Sequence, residues 1–188
     1  MSRIIIVPGL DNSGPDHWQT WLQTQLPQAR RIEQAQWQEP DLPGWMAAIR
    51  ATLDPRDPAI LVAHSFGCLA SIRIIEQHRA AIRAVLLVAP ADPEKFGFEA
   101  ERFLRPLGVR ALLVASEDDP WMSLARARTL AAGLGADVLN LGRAGHINAR
   151  SGYGAWPGGL KLVEGLMRPP VRSFRQAGVK EAGAVLAR

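Results

Sequence analysis

The chain has 188 residues, of which 47% are hydrophobic and 21% charged, and these values fit one globular domain with its own core. Its net charge of +4 comes mostly from residues 169–188, where four basic residues stand against Glu181. The rest of the chain is near neutral and lacks the basic stripe with interleaved aromatic residues that follows a phosphate backbone. We therefore expect no nucleic-acid partner.

Cysteine content and hydropathy exclude further classes of protein. Cys68 is the only cysteine, so an internal disulfide and a metal site built from cysteines are both excluded. The start, MSRIIIVPGL, places four apolar residues before Pro8, fewer than the roughly 7–15 of a signal-peptide core. No run reaches the roughly 20 apolar residues of a membrane span. We expect a cytoplasmic protein that does not cross a membrane.

Apolar runs and helix-compatible stretches alternate along the chain. The predicted strands are 3–7, 59–63, 83–88, 109–115 and 138–141, with a weaker sixth at 31–37. The predicted helices are 17–26, 44–53, 66–77, 123–133 and 158–167. Most of the strand runs are continuously apolar, which is typical of parallel strands covered on both faces. The alternation predicts a compact three-layer α/β fold with a mainly parallel sheet of about six strands.

Hydrophobic density falls at Pro169-Pro170, which predicts a domain of residues 1–168 followed by a basic C-terminal tail of residues 169–188. The segment 89–108 between two predicted strands is about 20 residues long, too short for a large cap domain. We expect an open site, with a small lid that carries three phenylalanines: Phe96, Phe98 and Phe103.

The stretch AHSFGCLA joins the strand at 59–63 to the helix at 66–77. A strand that turns directly into a helix forces Ser65 into a tight backbone conformation, which needs small neighbours such as Ala63 and Gly67. The turn exposes the hydroxyl at a helix N-terminus, where unpaired N–H groups stabilise developing negative charge. The pattern predicts a nucleophile elbow with Ser65 as nucleophile. Cys68, one helical turn later, is predicted to be a small core residue.

A serine hydroxyl needs a positioned base, and histidine titrates in the right range. His64 is adjacent to Ser65 in the chain and is expected to point away from it, whereas His78 ends a predicted helix. His146 follows the strand at 138–141 across a glycine turn, which makes it the predicted base. His17 is the second candidate, as a contact to substrate.

The base needs a carboxylate that holds its tautomer, and Asp92, Asp118 and Asp119 all follow predicted strands. Asp119 precedes Pro120, which favours an extended backbone that projects the side chain from the strand end. We expect Asp119 to be the acid and Asp118 to face away toward solvent, with Asp92 as the alternative. The chain order serine, acid, histidine is that of α/β-hydrolases.

Four segments resemble the small serine hydrolases of the retinoblastoma-binding-protein type in the α/β-hydrolase superfamily: VPGLDNSGPDHW, AHSFGCLA, ASEDDPW and GRAGHINARSGYGAWPGG. The resemblance spans about residues 3–167. It implies the same nucleophile, acid and base, and an oxyanion hole formed by the backbone N–H groups of Leu10 and Phe66. The sequence departs from the family at Ala63, where the elbow has a glycine.

These residues predict a serine hydrolase that cleaves small carboxylic esters through an acyl-enzyme, with amides and short peptides as alternative substrates. The chemistry needs no metal and no organic cofactor. His17, Trp18 and Trp121 are the predicted substrate-lining residues. Two other interpretations stay open: a non-catalytic protein-interaction module on the same fold, and an acyltransferase that passes the acyl group to an alcohol or amine.

Overall fold

The computed structural model describes residues 3–169, so the predicted tail lies outside the described residues except for Pro169. Within this range the strands are β1 (Ile4–Val7), β2 (Ala29–Arg31), β3 (Ala59–His64), β4 (Ile82–Val88), β5 (Arg110–Ala115) and β6 (Asp137–Asn140). The α-helices are α1 (Trp18–Gln25), α2 (Leu42–Arg50), α3 (Phe66–His78), α4 (Leu124–Leu134) and α5 (Pro157–Met167).

The strands form one sheet in the order β2-β1-β3-β4-β5-β6, and every neighbouring pair is parallel. Each parallel connection needs a crossover, and α1, α2, α3 and α4 lie in four of the five connections. The connection between β4 and β5 contains only short 3-10 helices, and α5 follows β6. The helices cover both faces of the sheet. The predicted three-layer α/β fold with a mainly parallel sheet is confirmed.

Each face of the sheet has its own hydrophobic core. In β1, Ile5 and Val7 belong to the core that contains residues of α2, α3 and α4, whereas Ile4 and Ile6 belong to the core that contains residues of α1 and α5. All four side chains are fully buried, and each contributes about 1.5–3 kcal/mol by leaving water. This explains why β1 is continuously apolar rather than alternating.

The sixth predicted strand is misplaced. It was expected at 31–37, but β2 occupies Ala29–Arg31 and pairs only with β1. Of its three residues only Ala29 is buried, because a short strand at the sheet edge needs little apolar surface. The other predicted elements lie within about three residues of the observed ones.

The sheet places its functional edge at the carboxyl ends of β1 and β3. The chain leaves β1 toward β2 on one side and returns through α2 to β3 on the other side. Such a reversal in strand order opens a crevice above the sheet, which is where ligands bind in open α/β folds. The loop after β1 and Ser65 after β3 both lie at this crevice.

Candidate active site

Ser65 is the single residue between β3 and α3, and its backbone is strained. Its φ of 53° and ψ of −124° lie in a region that residues with a side chain rarely adopt, at a cost of about 1–3 kcal/mol. The surrounding backbone fixes this conformation: the N–H of Ser65 donates to Val88 O at 3.1 Å, and its carbonyl accepts from Cys68 N at 3.0 Å.

The loop after β1 packs tightly against this turn. A Cβ atom on Gly67 would lie 2.6 Å from Val7 O, and one on Gly9 would lie 2.8 Å from Ser65 Cβ. Both positions therefore require glycine. Ala63, the departure from the family pattern, is fully buried in β3 between Val7 and Leu87, so the sheet accommodates its methyl group.

A continuous chain of hydrogen bonds begins at the Ser65 hydroxyl. Ser65 Oγ lies 2.9 Å from His146 Nε2, and His146 Nδ1 lies 2.9 and 3.0 Å from the two carboxylate oxygens of Asp119. Asp119 Oδ1 also accepts the backbone N–H of Trp121 at 2.8 Å, which fixes the carboxylate. The structure thus brings together the three side chains predicted to act as nucleophile, base and acid.

Two backbone N–H groups in the loops around Ser65 have no hydrogen-bond acceptor in the described residues. Phe66 is the first residue of α3, where the N–H has no acceptor within the helix, and Leu10 lines the cleft. In the described part of the chain, neither N–H donates to a protein acceptor. Both are the groups that the family resemblance assigns to an oxyanion hole.

The two other candidate acids have different partners. Asp92 forms an ion pair with Arg126 and accepts the backbone N–H of Glu94 at 3.1 Å. Asp118 is exposed, but its Oδ1 accepts from the backbone N–H of Gly145 at 2.8 Å, and this hydrogen bond lowers the pKa of Asp118. Asp118 therefore holds the backbone of the loop that carries His146, although it was expected only to face solvent.

His64 was expected to point away from Ser65, but it lines the same cleft. Its ring is buried 4.9 Å from the ring of His146 and 4.8 Å from that of His17, and its Nε2 lies 3.0 Å from His146 O. Burial lowers the pKa of His64 well below its ordinary value, so the ring is neutral and its Nε2–H donates to that carbonyl. The prediction failed because side chains alternate between the two faces of the sheet only as far as Ser65, whose φ is positive.

Trp18, unlike His64, does not line the cleft, contrary to expectation. It is 1% exposed and packs with Leu22 in the core beneath α1 and α5, because both residues lie on the apolar face of α1. Its Nε1–H donates to Ile147 O at 2.9 Å, so it supports the histidine loop from below. Ile147 itself has a φ of 46°, and this bond helps to hold it there.

The cleft above Ser65 encloses about 330 Å³, at the small end of ligand sites in proteins. The predicted contacts His17 and Trp121 both line it, together with Leu10 and Phe96. Of the other two predicted lid residues, Phe103 is buried in the core and Phe98 packs against that core.

Other possible chemistry is limited. Cys68 is fully buried, and burial raises the pKa of its thiol well above the ordinary value, so it is a packed core residue. Between residues 3 and 169 no group of three or more His, Cys, Asp or Glu side chains could hold a metal ion. No helix in this range is long and apolar enough to cross a membrane.

Comparison with known proteins identifies the family. The family model described as serine hydrolase matches residues 4–165. The chain belongs to the serine hydrolase family. This serine hydrolase is similar to a YdeN-like protein from Pectobacterium atrosepticum, with 38% identity, a TM-score of 0.83, and coverage of 88% of this chain and 90% of the other.

More distant proteins share the fold. YdeN of Bacillus subtilis is 26% identical over 175 residues, which cover 82% of this chain and 90% of YdeN, and its crystal structure gives a TM-score of 0.73. The esterase domain of a Rhodothermus marinus protein is 14% identical, with a TM-score of 0.62 and coverage of 88% of this chain and 87% of that domain. The serine hydrolase described here has an α/β-hydrolase fold.

Proposed function

We propose that this serine hydrolase cleaves small carboxylic esters through an acyl-enzyme on Ser65, with His146 as base and Asp119 as its orienting acid. The observation that carries the proposal is the unbroken hydrogen-bonded chain from Ser65 Oγ through the imidazole to the carboxylate. A protein-interaction module has no need for a strained serine aligned in this way.

The first half of the reaction forms the acyl-enzyme. Neutral His146 takes the proton of Ser65 Oγ through Nε2 while the oxygen attacks the ester carbonyl carbon, and Asp119 stabilises the imidazolium through Nδ1–H. The carbonyl oxygen becomes an oxyanion within reach of the N–H groups of Leu10 and Phe66. When the tetrahedral intermediate collapses, the carbon–oxygen bond breaks and the imidazolium gives its proton to the leaving alcohol.

The second half releases the acid. His146, neutral again, takes a proton from a water molecule that attacks the acyl carbon, and the same two N–H groups bind the new oxyanion. Collapse returns the proton to Ser65 Oγ and frees the carboxylic acid. No other group is required for this cycle.

The size and the lining of the cleft support small esters as substrates. Its volume is small, and one rim is apolar, with Leu10, Phe96 and Trp121. The shared fold with an esterase domain of Rhodothermus marinus agrees with ester chemistry. The motifs quoted from the sequence further support a place among hydrolases of the retinoblastoma-binding-protein type.

Covalent labelling tests the nucleophile. We expect a fluorophosphonate probe to label the protein at Ser65, and Ser65→Ala to lose both the label and about 10⁴-fold or more of the ester-hydrolysis rate. Cys68→Ala is the matched control and should keep the label, because its thiol is buried and protonated. Full labelling of Ser65→Ala, or an adduct mapped to Cys68, would contradict the proposal.

A further inference from the structure

The cleft is chemically asymmetric. Opposite its apolar rim, it is lined by Asn12, His17, Asn148 and Arg150, and these four residues continue into a shallow extension beside the loop of residues 14–16. All four present hydrogen-bond donors, because the acceptor atoms of three of them are already engaged within the protein and arginine has none.

His17 is the deepest of these donors. Its Nδ1 accepts the backbone N–H of Gln19 at 3.2 Å, so the neutral ring carries its proton on Nε2. Burial, followed by the charge of Arg31, lowers the pKa of His17 to about 4, which keeps the ring neutral near pH 7. The side chain is 6% exposed, and its Nε2–H has no acceptor within residues 3–169. This donor lines the cleft and is available to a ligand that carries an acceptor.

In both asparagines the amide oxygen accepts hydrogen bonds from the protein. Asn12 Oδ1 accepts from Ser13 N at 2.7 Å and from Arg31 Nη1 at 3.0 Å. Asn148 Oδ1 accepts from the N–H and the hydroxyl of Ser151, both at 3.1 Å. Each amide therefore has its oxygen occupied and its NH₂ group free of protein acceptors in the described range.

Two arginines without a carboxylate partner in the described residues lie at this end. Neither Arg31, which is half-buried behind Asn12 and His17, nor the exposed Arg150 forms an ion pair with a carboxylate in the part of the chain that the structure describes. Asp11 and Asp16 also reach the rim and balance the two arginines in formal charge. These two carboxylates and Arg150 are exposed, so water screens their charges more than that of the half-buried Arg31.

We propose that this donor-lined end binds a carboxylate of the substrate, so that the preferred esters carry a carboxylate group in addition to the ester. The inference rests on the proposed function and specifies its substrate class. A carboxylate is negatively charged and offers about four acceptor positions, which suits a lining made of donors. The part of the substrate on the other side of the ester bond would then lie toward Leu10, Phe96 and Trp121.

Matched esters test the inference from both sides of the ester bond. On the acid side we would compare monomethyl glutarate with methyl valerate, and on the alcohol side 4-acetoxybutyrate with butyl acetate. Each pair differs only in a carboxylate that replaces a methyl group, and a trimethylammonium ester of each type provides the opposite charge. Acid release in a pH-stat gives kcat/KM for every ester.

Three variants connect the preference to the cleft. Arg150→Gln removes the exposed charge, and His17→Asn removes the Nε2–H while keeping a side chain that can cap α1. Arg128→Gln is the control, since it removes one exposed arginine of α4 that does not line the cleft. In the parent protein we expect the carboxylate ester of at least one pair to be favoured by about tenfold or more in kcat/KM.

The variants should differ in their preference for the carboxylate ester. We expect Arg150→Gln and His17→Asn each to reduce the ratio by about fivefold or more, whereas Arg128→Gln leaves it unchanged. Equal kcat/KM within both pairs, a preference for the trimethylammonium esters, or a preference that survives in both cleft variants would overturn the inference.

The same data separate this inference from the function on which it rests. If Ser65 is labelled and the neutral esters are cleaved without preference for a carboxylate, the inference alone fails. If no ester is cleaved and Ser65 is not labelled, the proposed function fails and the inference falls with it.

Discussion

At the end of β5, two adjacent aspartates bind different parts of the same loop. Asp119 accepts from the imidazole of His146, and Asp118 accepts from the backbone N–H of Gly145, one residue before it. Asp118 lies in the turn that follows β5 and Asp119 comes directly after it, so one short segment orients both the ring and the backbone of the histidine loop.

This division predicts unequal effects of equally small substitutions. Asp119→Asn should fold normally but lose about 10⁴-fold in kcat, because the amide no longer favours the tautomer with a free Nε2. Asp118→Asn should stay within about tenfold of the parent, since an amide oxygen can still accept from Gly145. The measurement is kcat on one ester, with circular dichroism to confirm folding.

Asp92→Asn is the control in the same series. Asp92 pairs with Arg126 rather than with His146, so its variant should also remain within about tenfold of the parent. If Asp118→Asn or Asp92→Asn lost its activity while Asp119→Asn stayed active, the assignment of Asp119 as the acid would be wrong.

The proximity of Ser65, Asp119 and His146 was predictable from the sequence because each follows a strand of a parallel sheet, and such strands end at one edge. The role of His64 was not predictable. Its position depends on a positive φ at Ser65, and no alternation rule extends through such a residue. The one available signal was a histidine at the end of an otherwise apolar buried strand.

At the scale of elements, the first turn of α3 fits directly beneath the loop after β1. A methyl group on Gly67 would press against the backbone oxygen of Val7, and backbone cannot give way as a flexible side chain does. We expect Gly67→Ala to lower the free energy of unfolding by about 1–3 kcal/mol and to reduce activity, because it displaces the turn that carries Ser65.

Gly165→Ala is the matched control. Gly165 lies in α5 and a Cβ there would meet no atom within 4 Å, so the substitution should be neutral or stabilising by up to about 1 kcal/mol. Urea denaturation of both variants checks the pair. An unchanged free energy of unfolding in Gly67→Ala would show that the turn can adjust.

The positions of the strands were more predictable for strands that bury more apolar surface. β3 and β4 are almost wholly buried and were located within one residue. β2 was missed because it is a three-residue edge strand in which Arg30 is exposed and Arg31 is only partly buried. An edge strand of this kind is positioned by backbone pairing with β1, and this pairing requires few particular residue types.

At the scale of the molecule, we predict that residues 1–168 form a complete catalytic domain. The last helix, α5, ends at Met167, and Arg110 donates to the carbonyl of Arg168 at 3.2 Å. A chain that ends at Arg168 should fold and hydrolyse small esters with kcat/KM within about twofold of the full chain. A soluble but inactive truncation would assign residues 169–188 a part in the site.

Stability should depend on pH through the buried imidazole of His17. Its pKa falls from an ordinary value of 6.5 to about 4 on folding, mainly through burial. Between these values the unfolded chain binds the proton and the folded protein does not. The free energy of unfolding therefore has its full value above pH 6.5 and decreases as the pH falls toward 4.

For this group the loss between pH 7 and pH 5 is about 2 kcal/mol, measurable as a fall in the free energy of unfolding in urea. His64, whose pKa is also lowered, acts in the same direction. The fall should be smaller in His17→Asn, in which no imidazole titrates at that position. Identical pH dependence in the parent and in His17→Asn would contradict the prediction.

The all-parallel order of the sheet also governs how the chain reaches its native state. No two neighbouring strands are joined by a hairpin, so each pairing must wait until a whole crossover has closed. β1 pairs with β3 across more than 50 residues, and this pairing carries the loop of Gly9 to the turn of Ser65. The entropy of closing such loops is lost before their contacts form, so refolding should be slower than for a helical bundle of the same length. The site at the β1–β3 crevice is then assembled only after the chain has made this long-range contact.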